Sequence, residues 1–199
     1  GELCEIYTDE HAAARRSRPI LAEVVGFRHN HLLMMPFGET EQIRVNSEVV
    51  ATGRPMQIPV GQGMLGRVLD GLGQPMDDLG ALDAEELYPI HAAPPSPMHR
   101  QHITETLPLG VRAIDGCITC GKGQRMGIFA GSGVGKSTLM GMIARNTKAD
   151  INVIALIGER GRELREFVDL TLGTEGLSRS VVVTATSDKS PLVRLRGAY

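Results

Sequence analysis

The stretch Ala130-Gly131-Ser132-Gly133-Val134-Gly135-Lys136-Ser137-Thr138 leaves this chain few folds. The apolar run Met126-Gly127-Ile128-Phe129 before it reads as a strand, and the run from Leu139 to Ala144 after it reads as a helix closing near Lys148. Strand, glycine loop and helix in that order are the setting of a phosphate-binding P-loop. Glycines permit positive φ and close approach, so successive N–H groups converge on an anion at a helix N-terminus. The expected binding set is Gly131, Ser132, Gly133, Val134, Gly135, Lys136, Ser137 and Thr138. Lys136 reaches the β- and γ-phosphates of a nucleoside triphosphate, and the Ser137 hydroxyl ligates Mg²⁺. Ala130 stands where the strict pattern has glycine, at a strand end where a methyl is tolerable. The plainer reading, a glycine-rich turn with a surface lysine, leaves the flanking strand and helix without a purpose.

From Arg125 onward strands and helices alternate. Ile151 to Gly158 reads as a buried strand, Glu163 to Leu170 as an amphipathic helix stopped at Gly173, Ser180 to Thr186 as a further strand, and Ser190-Pro191 as a helix start. Such alternation predicts an α/β fold with a mainly parallel sheet. Residues 1–60 differ, with short apolar runs split by turn residues. Strands are expected over 3–7, 20–27, 31–36 and 47–52, the last closed by a Gly53-Arg54-Pro55 turn, as a small N-terminal β-barrel or sandwich. Between Asp77 and Gln101, Pro89, Pro94, Pro95 and Pro97 predict an extended surface connector.

Gly61-Gln62-Gly63-Met64-Leu65-Gly66 matches a dinucleotide fingerprint, with Glu85 and Glu86 near the expected acidic position. The fingerprint needs a helix directly after it, and Asp70-Gly71-Leu72-Gly73-Gln74-Pro75 forbids one. His91, His99 and His102 read as solvated loop residues. Cys117-Ile118-Thr119-Cys120 has no second pair for zinc and reads as two small apolar residues in a packed segment. The cluster Arg15-Arg16-Ser17-Arg18 reads as a solvated loop. A net charge of -2 gives no polyanion-binding excess, and with aromatics at 4 % the barrel strands lack a base-stacking platform. Nucleic acid is therefore not an expected partner. No membrane-length apolar run or signal peptide is found, and three cysteines suit a reducing compartment, so a cytoplasmic protein is expected.

Gly158-Glu159-Arg160-Gly161-Arg162-Glu163 follows the strand that begins at Ile151. Ligands of open α/β sheets lie beyond the carboxyl ends of strands, so this turn and the P-loop should open into one crevice. There Glu159 can polarise an attacking water and Arg160 can hold the γ-phosphate. The same residues also suit the charged first turn of an exposed helix.

Three segments carry a family resemblance: Gly123 through Ser137, Leu156 through Glu163, and Thr186-Ser187-Asp188-Lys189-Ser190-Pro191 through Arg196. They resemble the flagellar and type III secretion export ATPases, relatives of the rotary ATP synthase alpha and beta subunits. Gly63 through Gly73 and Leu109 through Asp115 are similar as well. The resemblance implies a P-loop NTPase (RecA-like) core over 61–199 behind an N-terminal β-barrel over 1–60, incomplete at its start. It implies a Mg²⁺-dependent ATPase with Glu159 activating water and Lys136 and Arg160 on the phosphates. It further implies a hexameric ring at the cytoplasmic face of the inner membrane, working with export-apparatus and stalk proteins and with chaperone–substrate complexes, peripheral to the membrane and not inserted. A rotary ATP synthase-type catalytic or non-catalytic subunit is the alternative. Glu159 speaks against the non-catalytic form, and Ser137 with Ala130-Gly131-Ser132-Gly133 differs from the usual synthase loop. The resemblance also places the Walker B aspartate, the arginine finger, the adenine contacts and a C-terminal helical domain beyond Tyr199. A chain opening at Gly1 in a strand reads as a piece of a longer polypeptide, inactive alone.

Overall fold

A computed structural model describes residues 1–8, 19–131 and 133–199. The Arg15-Arg16-Ser17-Arg18 cluster and Ser132 lie outside the described residues.

The N-terminal residues form an antiparallel sheet of β1 (Glu2–Tyr7), β2 (Ile20–Arg28), β3 (His31–Pro36) and β4 (Glu48–Pro55), in the order β3-β2-β1-β4. All four expected strands form, but Gly53-Arg54-Pro55 does not close the last one. The register shifts between Cys4↔Ala51 and Glu2↔Pro55, so these residues make a bulge inside β4. Gly53 takes φ 72 there, Thr52 Oγ1 donates to Leu3 O at 2.6 Å, and Gly53 N–H donates to Glu2 Oε1 at 2.9 Å. Glycine's freedom at positive φ turns a stop signal into a bulge.

The proline-rich connector holds one strand that its composition conceals. β5 (Gln57–Val60) pairs antiparallel with β7 (Glu86–Pro89), with Pro59 and Pro89 both accommodated in a two-stranded ribbon where each strand has a free edge. No helix follows the fingerprint glycines. They pack on the chain arriving at β7: a Cβ on Gly63 would lie 2.4 Å from Asp83 O, and one on Gly61 would lie 3.0 Å from Glu85 N.

The second sheet is parallel. β6 (Val68–Asp70), β8 (Asn152–Ile157) and β9 (Ser180–Ala185) lie in the order β6-β9-β8. α1 is Arg112–Cys117 and α2 is Lys136–Asn146. β8 returns to β9 through α3 (Gly161–Glu166), a wide π-helical turn over Phe167–Leu172 and α4 (Gly173–Ser178); α5 (Pro191–Gly197) follows β9. Gly173, expected to stop the helix, instead hands the π turn to α4 at φ 68. One core joins Ala144 of α2 to Ile154, Leu156, Phe167, Leu172 and Val182, and each of the five larger side chains contributes roughly 1.5–3 kcal/mol. A second core joins the two sheets, packing Phe37 and Met56 on Ala185, Leu192 and Val193.

Met126–Phe129, expected as a strand, pairs with no strand among the described residues. Without a ladder partner an extended segment is not a strand, and Phe129 is 97 % exposed. Met126 packs against the buried cluster of Leu109, Val111, Ile114 and Cys120, on which Leu139 and Ile143 of α2 also pack.

α2 meets the π turn at Gly141, where a Cβ would lie 2.1 Å from Thr171 Cγ2 and 3.1 Å from Thr171 O. Gly141→Ala gains up to about 1 kcal/mol of helix propensity and loses roughly 1–3 kcal/mol to overpacking. A lower urea midpoint is the expected outcome, and an unchanged one would mean that this contact yields.

The loop after β6 is pinned by an ion pair. Arg67 Nε donates to Asp77 Oδ2 at 2.7 Å and Nη2 donates to Oδ1 at 2.9 Å, while Val68 N–H also donates to Asp77 Oδ2. The Arg67 hydrogen bonds bring the Asp77 carboxyl down from 3.8 to about 2. A lowered carboxylate stabilises the fold fully above its unfolded value, and this share is lost as pH falls through about 2. Asp77→Asn should therefore lower stability at neutral pH by roughly 1–3 kcal/mol and flatten the acid limb of the stability curve. Chemical denaturation at pH 7 and pH 2.5 reads both effects.

Candidate functional site

The P-loop glycines expected to need special backbone have it. Gly133 takes φ 78, and Gly135, at φ 96 and ψ 17, is the N-cap of α2 with no side-chain cap bond. A side chain would meet no neighbour at either position, so backbone conformation alone demands glycine. The N–H groups of the first helical turn have no intrahelical partner and stand free for an anion. Lys136, Ser137 and Thr138 are exposed at that turn.

Across from it lies the carboxyl end of β8. Gly158 takes φ 80 and its N–H donates to Ala185 O at 2.7 Å, turning the chain so that Glu159 leaves the sheet. Ser187 N–H donates to Glu159 O at 3.0 Å, fixing the turn against the segment after β9. In that segment the Thr186 hydroxyl holds the Asp188 carboxyl below its ordinary value. Arg160 then starts α3, its carbonyl accepting from Glu163 N–H at 2.9 Å.

The two halves meet in one cavity of about 340 Å³. Gly131, Gly133, Gly135, Lys136, Ser137 and Thr138 form one wall, and Glu159 and Glu163 form the other. Val134, 68 % exposed, stands outside this lining. So does Arg160, whose Nη1 contacts Glu163 Oε1 at 3.2 Å. Sequence reasoning missed Glu163 as a cavity residue; the signal available was a second acid in the first turn after a strand end. It also gave no role to Ser187, whose contribution is a backbone N–H and leaves no side-chain signature.

Other singled-out residues fall elsewhere. Cys120 is buried beside Leu109, Val111 and Ile114, as expected of a small apolar residue, whereas Cys117 is exposed. His91 is not simply solvated: its Nε2 lies 2.8 Å from Arg196 Nη1 and its ring meets Tyr199 edge-on at 5.1 Å. Among the described residues, no cluster of three or more His, Cys, Asp or Glu side chains could hold a metal, and no helix is long and apolar enough to cross a membrane.

Comparison with known proteins agrees with this architecture. Residues 1–53 match the beta-barrel domain of the ATP synthase alpha/beta family, and residues 110–199 match its nucleotide-binding domain. The whole chain is 53 % identical to the Type 3 secretion system ATPase of Xanthomonas euvesicatoria, of which it covers 44 %. It is likewise 53 % identical to the Flagellum-specific ATP synthase of Bacillus subtilis, again covering 44 %. Its fold superimposes on the assembled ATPase EscN from the type III secretion system of enteropathogenic E. coli with a TM-score of 0.86 at 42 % identity, over 100 % of this chain and 46 % of that one. The chain thus spans less than half the length of these relatives. P-loop, parallel sheet, N-terminal barrel segment and family models agree, and the chain belongs to the ATP synthase alpha/beta family.

Proposed function

We propose that this chain carries the nucleotide site of an ATP-hydrolysing subunit that energises protein export through a type III secretion or flagellar apparatus. The observation that carries the reading is the single cavity with the P-loop on one wall and Glu159 on the other. Relatives named as a secretion ATPase and a flagellum-specific ATP synthase support the biological setting.

The roles follow from chemistry and position. Backbone N–H groups from Gly131 to Thr138 cradle the phosphates, and Lys136 pairs with the β- and γ-phosphates. Magnesium fits the hydroxyl donor at the first turn of α2, where Ser137 would hold it beside the phosphates. Bound with ATP, that ion offsets charge on the phosphate oxygens. Glu159 orients and deprotonates the attacking water. Arg160 reaches the γ-phosphate by leaving Glu163, and with 65 % and 40 % exposed side chains that ion pair offers little resistance.

The boundary between barrel and nucleotide-binding units is assigned near residue 60. Its support is that β6, at Val68–Asp70, already pairs in parallel with β9. The chain covers 44 % of the Xanthomonas euvesicatoria relative, which supports placing the site's action in the full-length protein. The full protein works as a hexameric ring at the cytoplasmic face of the inner membrane, where it meets a central stalk and receives chaperone–substrate complexes. The assembled form of EscN and its complex with the central stalk EscO support the ring and the stalk.

The test is ATP hydrolysis by the full-length protein as a function of its concentration. A rate per chain that climbs with concentration is the expected result. Tight ATP binding without hydrolysis at any concentration would replace this reading with a non-catalytic nucleotide-binding subunit.

A further inference from the structure

Helix α5 stands between the Glu159 turn and the N-terminal sheet and is tied to both. The segment entering it is bonded to the turn through Ser187 N–H and Glu159 O, at 3.0 Å. Ser190 caps the helix by accepting from Val193 N–H, and Pro191 presets its first residue. At the far end, Arg196 Nε donates to Glu23 Oε2 at 2.8 Å and Arg196 Nη2 donates to Glu23 Oε1. Glu23 lies in β2, and the two side chains are only 4 % and 9 % exposed. Among the described residues this is the one ion pair joining residues 1–53 to residues 110–199.

Stability alone is a poor reason for such a pair. Desolvating two charges offsets most of their attraction, and apolar residues of similar volume often do as well. What a guanidinium fork on a carboxylate supplies is a fixed geometry. The surroundings keep that geometry stiff. A Cβ on Gly71 would lie 2.7 Å from Val193 O, and one on Gly197 would lie 3.0 Å from Ile157 Cδ1, so α5 is pressed against the parallel sheet without slack. His91 Nε2 lies 2.8 Å from Arg196 Nη1, and the centre of the Tyr199 ring lies 5.7 Å from the guanidinium carbon. A helix wedged in this way moves as one body, so displacement at one end reaches the other.

We infer that Arg196 and Glu23 are positioning residues for the Glu159 turn, fixing α5 on the N-terminal sheet and so coupling that sheet to the nucleotide cavity. The catalytic consequence rests on the proposed role of Glu159; the coupling itself does not.

The test is hydrogen exchange of the full-length protein with and without adenylyl imidodiphosphate. The proteins compared are wild type, Glu23→Gln and the double variant Glu23→Leu with Arg196→Met, which replaces both charges by apolar groups and keeps the fold testable. In wild type, the analogue should raise protection in the P-loop, over 186–197 and over 20–28. In both variants the P-loop response should persist while 20–28 becomes indifferent to the analogue. In hydrolysis, kcat should fall by up to about 100-fold with misplacement of the turn. KM should stay within about twofold, because phosphate binding is left intact. A purely structural pair would instead weaken all three responses together and overturn the inference. So would a wild-type sheet that ignores the analogue, or variants whose 20–28 segment still responds. Failure of the Glu159 role is visible separately, as wild-type hydrolysis by Glu159→Gln, and leaves the exchange pattern to decide the coupling.

Discussion

Lys136→Ala in the full-length protein is expected to abolish ATP turnover and to weaken ATP binding by more than tenfold. Lys136 lies at the first turn of α2, on the wall of the cavity, and forms no ion pair among the described residues. Its removal therefore costs the fold little. A hydrogen bond to a charged group is worth about 1.5–3 kcal/mol, and every 1.4 kcal/mol is a factor of ten, so losing contacts to two phosphates accounts for the expected effect. Equilibrium binding of a fluorescent ATP analogue alongside steady-state hydrolysis reads it directly. Retained turnover would remove the P-loop assignment altogether.

Glu159→Gln should separate binding from chemistry. The glutamate sits on the opposite wall, after a glycine at φ 80, and its backbone is held by Ser187. Replacing a carboxylate by an amide of the same shape leaves those backbone contacts in place and removes the base. Hydrolysis should fall by about 10²–10⁴-fold while ATP affinity is retained. Single-turnover measurements with saturating protein distinguish this from a defect in product release. A normal rate would return Glu159 to the charged first turn of a helix.

Most of the site was legible because each part has a local cause. The P-loop needs positive φ at Gly133 and Gly135, which glycine spacing announces, and the Glu159 turn needs a strand end, which the apolar run from Ile151 announces. The misses have non-local causes. β7 lies in a proline-rich stretch whose strand character comes only from its partner β5. Met126–Phe129 has strand composition but no ladder partner among the described residues. Gly53 and Gly173 carried the same stop signal, and each was absorbed into continuing structure, one by a bulge and the other by a π turn. Arg196 and Glu23 lie 173 residues apart, a separation at which no local pattern can pair them.

Among the described residues, the run before the P-loop pairs with no strand, and the phosphate loop is held there through α2. Leu139 and Ile143 of α2 pack on the same buried cluster as Met126, Ala144 binds the helix to the core of the parallel sheet, and Gly141 lets it settle onto Thr171. Among the described residues the loop thus takes its station from α2, while the opposing Glu159 takes its station from the end of β8. The two walls of the cavity therefore share one footing, the core in which Ala144 of α2 packs with Ile154 and Leu156 of β8.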